Sequence, residues 1–393
     1  MSYLGAPHHR PPVPSPLHGP PLSRKLRRVG APLGLLIALA SVIGLIVILL
    51  TALNPVGTAV GFVLSSVAMA VVVLAYIWLD RWEPEPPRLL VFAFLWGASV
   101  AIVLAFVLGL VFEAVVDPGG ADTSPASVVL GAPLIEEAAK GLFLLLMMTG
   151  RRRNELNSLT DCLVYAGLVG AGFAWLEDIL YISGAESLGD SLVTAALRLV
   201  MAPFGHSLFT TMFAVGVYFA MQRRDAATKI GFLVVGYLGA VLMHALWNGS
   251  SLLGGGAYLL VYVLWMVPIF GLTIVLAVTS RRREQRLVAS KLPGMAAAGV
   301  ITPNEMTWLG SIRSRKQAVA EATRIGGRHA GKSVHAFAAQ IVELAFIRDR
   351  IDRGFGDPRV LGLLHEETYA IYAARAATPT LQQMAGYRAW VKP

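Results

Sequence analysis

The sequence predicts an all-α, polytopic membrane protein with about eight transmembrane helices, followed by a small helical C-terminal region. Three observations predict it. Hydrophobic residues make up 55% of the chain and charged residues 15%, with a mean hydropathy of +0.63, whereas a soluble domain carries about 25% charge. The apolar residues gather into runs long enough for the roughly 20 helical residues that cross a bilayer. Up to residue 286, Lys and Arg cluster in the N-terminal tail and in alternate loops.

Residues 1–30 form a Pro- and His-rich basic tail with few aliphatic side chains, a composition that predicts disorder. His8, His9 and His18 lie in it and are read as tail residues before metal ligands. The first apolar run, 31–53, is longer than a signal-peptide core and has no small-residue cleavage site, so it is expected to be retained. Further runs follow near 57–79, 89–112, 127–148, 161–182, 194–221, 229–250 and 256–280. Arg81 and Arg88, residues 151–153, then Arg223, Arg224 and Lys229, then 281–286 supply the basic loops. The loops 54–56, 114–126, 183–193 and 251–255 contain neither Lys nor Arg. This alternation predicts a multi-pass membrane protein with both termini cytoplasmic. It also accounts for the net charge of +9 without nucleic acid, so membrane lipid is the expected surrounding partner.

The membrane core is expected to occupy 31–285 and a cytoplasmic helical region 286–393. In the latter, Thr302, Pro303 and Glu305 read as a capped helix start, and 333–354 carries apolar residues at helical spacing and ends in Gly354. His329, His335 and His365 are too widely spaced there to suggest chemistry. Cys162 is the only cysteine, which excludes an intramolecular disulfide and a cysteine-based metal cluster.

What hydrophobicity does not explain is confined to four consecutive spans. The fourth carries Glu136, Glu137 and Lys140, the fifth Glu177 and Asp178, the sixth His206 and Thr210, and the seventh His244 and Asn248. An ionisable residue at bilayer depth costs at least about 2.5–3.5 kcal/mol on insertion scales, and such residues default to function. At 1.5 Å rise per residue, Glu136, Glu177, His206 and His244 fall roughly 8–17 Å below the outer boundary, so one layer in the outer half can hold them all. Two carboxylates and two imidazoles shielded from bulk water suit activation of a water molecule. They can do so by holding a zinc ion, or through a desolvated carboxylate acting directly as base. Asn248, one turn beyond His244, can donate to a developing oxyanion. Lys140 shares a helical face with Glu136 and Glu137 and can neutralise one of them. Asp178, next to Glu177, is expected to face elsewhere, and Thr210 to bond its own helix backbone.

Taken together, "EEAAK" (136–140), "FAWLE" (173–177), "HSLFT" (206–210) and "HALWN" (244–248) resemble the successive motifs of the PrsW family of intramembrane proteases. "DRWEPEP" (80–86) resembles another recurrent stretch of that family, which sits in a superfamily with the CAAX prenyl proteases and bacteriocin-processing enzymes. The resemblance implies an eight-helix bundle whose central helices are catalytic. It implies that Glu136 activates water with support from Glu137, that Glu177, His206 and His244 complete the site, and that Asn248 assists the oxyanion. Glu177, His206 and His244 are then the candidate zinc ligands, with a metal-free glutamate mechanism as the alternative. The implied substrate is a single-span membrane protein, such as an anti-sigma factor, cut near the outer face. Two other classes use the same residues: a proton- or cation-coupled transporter, disfavoured by the lack of an internal repeat, and a non-catalytic membrane scaffold.

Overall fold

The computed structural model describes residues 31–120 and 123–389. The expected disordered tail, 1–30, lies outside the described residues. The membrane part is built from α1 (Leu33–Leu53), α2 (Pro55–Leu79), α3 (Pro87–Val116), α4 (125–147), α5 (Leu159–Ser183), α6 (188–201), α7 (Gly205–Met221), α8 (Ala226–Leu252) and α9 (Gly255–Ala297). Among the described residues there is no strand.

Among the described residues, seven stretches are long and apolar enough to cross a membrane: α1, α2, α3, α5, α6 with α7, α8, and α9. The chain is a multi-pass membrane protein. The eighth run of the sequence is α4, set apart by Glu136, Glu137 and Lys140, which are all buried. A helix with three charges can sit at this depth only when its neighbours enclose them.

α5 is the axis of the bundle. In its most apolar stretch 89% is buried, against at most 28% for any other span, so the remaining spans give most of their surface to lipid. Its start is fixed locally. Ser158 Oγ accepts from the Asp161 amide, and the Asp161 carboxylate accepts from the amides of Ser158 and Asn157 at 2.7 Å. At its other end the Ser183 carbonyl accepts from Asn54 Nδ2 at 2.8 Å, and Asn54 also caps α2. Two glycines set the helix spacing around the site. A Cβ at Gly170 of α5 would lie 2.6 Å from Ser207 Cα of α7, and one at Gly216 of α7 would lie 2.5 Å from the Phe232 carbonyl of α8. Any larger residue would push apart the helices that carry Glu177, His206 and His244.

Several helices contain π turns, at Gly97–Ala101 in α3, Ser127–Gly131 in α4 and Ala196–Met201 at the end of α6. Each takes in one more residue per hydrogen-bonded turn than an α-helix and so re-aims the face beyond it.

α9 does not stop at the membrane boundary. It runs unbroken past residue 285, and its Val288, Leu292 and Met295 join a second core with α10 (Pro303–Leu309), α11 (Ile312–Arg350), α12 (Pro358–Ala376) and α13 (Pro379–Gln383). The Thr302–Glu305 capping box is present and is clamped by Arg375, at 2.6 and 2.8 Å from the Glu305 carboxylate. The apolar stretch from 333 is the second half of α11, which bends at Gly327 (φ 72°), and the segment ends at Gly354 (φ 83°). Trp82, in the linker between α2 and α3, is 3% exposed and belongs to this second core, with the Arg315 guanidinium 4.3 Å above its ring. The linker therefore ties the membrane bundle to the C-terminal helices.

Candidate active site

α4, α5, α7 and α8 bring their polar residues to one place, beside a cavity of about 540 Å³. Glu177 stands six residues from the end of α5 and eighteen from its start at Leu159, which puts it roughly 9 Å from one end of the helix and 27 Å from the other. The site therefore lies in the half of the bundle away from the C-terminal helices.

Lys140, fully buried, is its centre. Its Nζ lies 2.9 Å from Glu137 Oε1, 3.2 Å from Glu136 Oε2 and 2.9 Å from His206 Nδ1, and 3.9 Å over the Phe173 ring. The two carboxylates are not equivalent. Glu137 is saturated: Oε1 also faces His244 Nδ1 at 3.1 Å, and Oε2 accepts from Thr210 Oγ1 at 3.0 Å. Glu136 meets Lys140 through Oε2 alone and lines the cavity. The one hydroxyl proton of Thr210 is shared between Glu137 and the His206 carbonyl of its own helix, also at 3.0 Å; the sequence suggested the second contact and did not disclose the first.

Each histidine is held by a carboxylate on one nitrogen and turns the other inward. His206 Nε2 is 2.8 Å from Glu177 Oε2 and so carries the proton, leaving Nδ1 as acceptor. His244 Nδ1 faces Glu137 and carries the proton, leaving the Nε2 lone pair inward. The two rings stand perpendicular at 5.2 Å, and His244 stacks on Phe209 at 4.7 Å. His206 Nδ1 and His244 Nε2 lie 3.9 and 3.8 Å from Glu136 Oε2.

That last geometry bears on metal. Among the described residues, the group whose ligand atoms converge is Glu136, His206 and His244. The sequence put Glu177 in that set; in the structure Glu177 lies behind His206, on its far nitrogen. A carboxylate on the outer nitrogen of each imidazole is the arrangement that orients histidine ligands toward a metal, so the donor set fits zinc.

Arg198 escaped the sequence reading. It hydrogen-bonds Glu177 through Nη2 and Asp178 through Nε at 2.5 Å, and stacks 4.2 Å over Tyr181. Asp178 thus shares a cation with Glu177 rather than facing elsewhere. The signal was available: an arginine inside an apolar run is as conspicuous as a glutamate there. Asn248 lines the cavity with one amide hydrogen on the Val128 carbonyl at 3.1 Å, and its amide has a second to offer.

A multi-pass bundle with carboxylates and imidazoles gathered beside a cavity within its membrane-spanning helices is the frame of an intramembrane hydrolase. Comparison with known proteins narrows it. Residues 85–273 match the model of the PrsW family intramembrane metalloprotease. The Protease PrsW of Geobacillus kaustophilus is 27% identical over 186 residues, 47% of this chain and 76% of its own length. That of Oceanobacillus iheyensis is 25% identical over 213 residues, 53% and 93% respectively, and that of Bacillus subtilis 24% identical over 182 residues, 46% and 78%. No solved structure matches. Over that region the chain is similar to the PrsW family of intramembrane proteases.

Proposed function

We propose that this enzyme hydrolyses a peptide bond of a single-span membrane protein, of which an anti-sigma factor is an example, near the extracytoplasmic face, with Glu136 as the base. The observation that carries this reading is the asymmetry of the carboxylate pair: Glu137 is saturated, while Glu136 opens on the cavity between two inward imidazole nitrogens.

Glu136 takes a proton from a water in the cavity as the water oxygen bonds to the scissile carbonyl carbon. The second amide hydrogen of Asn248 is available to the oxyanion that forms. Glu136 then passes its proton to the departing amine as the C–N bond breaks. Glu137 and Glu177 hold the imidazoles and do not exchange protons with substrate. Zinc, if held by Glu136, His206 and His244, would supply Lewis-acid polarisation of the carbonyl.

An outer-face cut follows from orientation. The basic residues Arg81, Arg151–Arg153, Arg223, Arg224 and Arg281 lie at the end of the bundle that carries the C-terminal helices, which the positive-inside rule assigns to the cytoplasm. The transporter and scaffold alternatives lack a comparable observation.

The test is Glu136→Gln, which keeps shape and removes the base. Hydrolysis should fall by at least about 10²-fold, and the protein should still insert, since a buried charge has been removed rather than created. An uncut membrane protein should accumulate in cells carrying the variant. Unchanged fragment patterns across the membrane proteome would refute the assignment.

A further inference from the structure

The ammonium of Lys140 has three N–H groups, and each has an acceptor: Glu136 Oε2, Glu137 Oε1 and His206 Nδ1. Two of those acceptors, Glu136 Oε2 and His206 Nδ1, belong to the three atoms that converge as a metal site. An imidazole nitrogen has one lone pair in the ring plane, and it cannot accept an N–H and bind a metal at once. The other nitrogen of His206 offers no alternative, because it donates to Glu177.

We propose that Lys140 is the resident cation of this site and competes directly with a divalent metal for His206 Nδ1 and Glu136 Oε2. A metal then enters only by displacing the lysine from His206. The surroundings favour the lysine. It is fully buried, lies over the Phe173 ring, and keeps a third contact to Glu137 that a metal in the Glu136–His206–His244 triad would not replace. This inference rests on the reading of that triad as the reaction centre, but its test measures metal and not proteolysis, so the two can fail separately.

The experiment compares Zn²⁺ and Co²⁺ binding to the purified full-length protein in detergent and to Lys140→Met, by competition against a chromophoric chelator and by metal content after dialysis. Lys140→Met should bind either ion about 10-fold more tightly or better, the scale on which neighbours of metal ligands act. Its Co²⁺ form should show the visible absorption of a nitrogen- and oxygen-ligated ion, lost on adding His206→Ala. Removing a cation also makes the site more negative, which alone would attract metal. The double variant Asp178→Asn with Lys140→Met restores the wild-type net charge and leaves in place Glu137 and Glu177, the carboxylates that hold the imidazoles, and circular dichroism of each variant checks that it is folded. It should still bind more tightly than wild type. Equal or weaker binding by the double variant would overturn the proposal, as would wild-type protein that holds one tightly bound metal with Lys140 in place. Absence of binding in all three proteins would overturn it too.

Discussion

At the end of the bundle away from the C-terminal helices, Glu136, Glu137, Glu177 and Asp178 share two cations, Lys140 and Arg198. At the opposite end a second set of buried carboxyl groups, Asp80, Glu85, Asp161 and Glu284, makes no ion pair among the described residues. Neutral donors hold it instead. Tyr165 donates to Glu85 Oε2 at 2.6 Å, the Glu85 amide to Asp80 Oδ2 at 2.9 Å, and Ser158 Oγ sits 2.8 Å from both Asp161 Oδ1 and Glu284 Oε1. Burial pushes Asp80 up to about 8 and Glu83 and Glu85 well above the usual carboxylate range, with neighbouring carboxyl groups adding to the rise. One region balances buried charge with cations and the other with protons. The first neutralises its carboxylates with paired cations, whereas the second is a junction that joins the linker, α5 and α9.

The sharpest way to break the comparison is to remove a cation from the first region. Arg198→Met should leave Glu177 and Asp178 uncompensated and cost about 3 kcal/mol, the low end for a broken buried pair, because a quarter of its side chain is exposed. Thermal unfolding in detergent would show this as a lowered midpoint. Arg198→Lys should recover only part of the loss, since a point charge cannot fork to two carboxylates. The second region should instead respond to pH. The linker groups Asp80, Glu83 and Glu85 bind more protons folded than unfolded, so stability should fall as pH rises from the carboxylate range through about 8. Limited proteolysis at the linker should accelerate over that window. Glu85→Gln, which fixes the neutral form, should be near-neutral at pH 7 and should flatten the alkaline loss. The smallest effect is expected from Tyr165→Phe, which deletes one hydrogen bond to Glu85 and should cost about 1 kcal/mol. An Arg198→Met protein as stable as wild type, or a Glu85→Gln protein as pH-sensitive, would dissolve the distinction.

The membrane architecture was legible because lipid imposes a pattern that needs no tertiary knowledge: long apolar runs, and basic loops that alternate with loops lacking Lys and Arg. The residues gathered at the site were legible for the same reason, since each is a polar group where lipid excludes one. Their partners were harder to read. Which carboxylate faces both imidazoles depends on helix rotation, and π turns at Ser127–Gly131 and Ala196–Met201 re-aim the helices next to the site. A 3.6-residue period cannot foresee that. Arg198 follows the same logic, because its meaning lies in reaching back across a helix pair to Glu177 and Asp178. The carboxyl junction was invisible for another reason. Asp80 and Asp161 sit at helix ends and Glu284 in the basic stretch 281–286, where charge is ordinary, and only packing shows that water has been removed from them.

Trp82 has a consequence for how the molecule is made. The linker that carries it is synthesised long before Arg315, whose guanidinium lies over its ring, and before the C-terminal helices whose core it joins. Through most of translation the indole has only the membrane surface against which to rest, a place aromatic rings tolerate well. The C-terminal helices, made after the spans, then take it into their own core. A copy cut short before α10 would lack the core that holds this linker, and its second and third spans would be joined without that clasp.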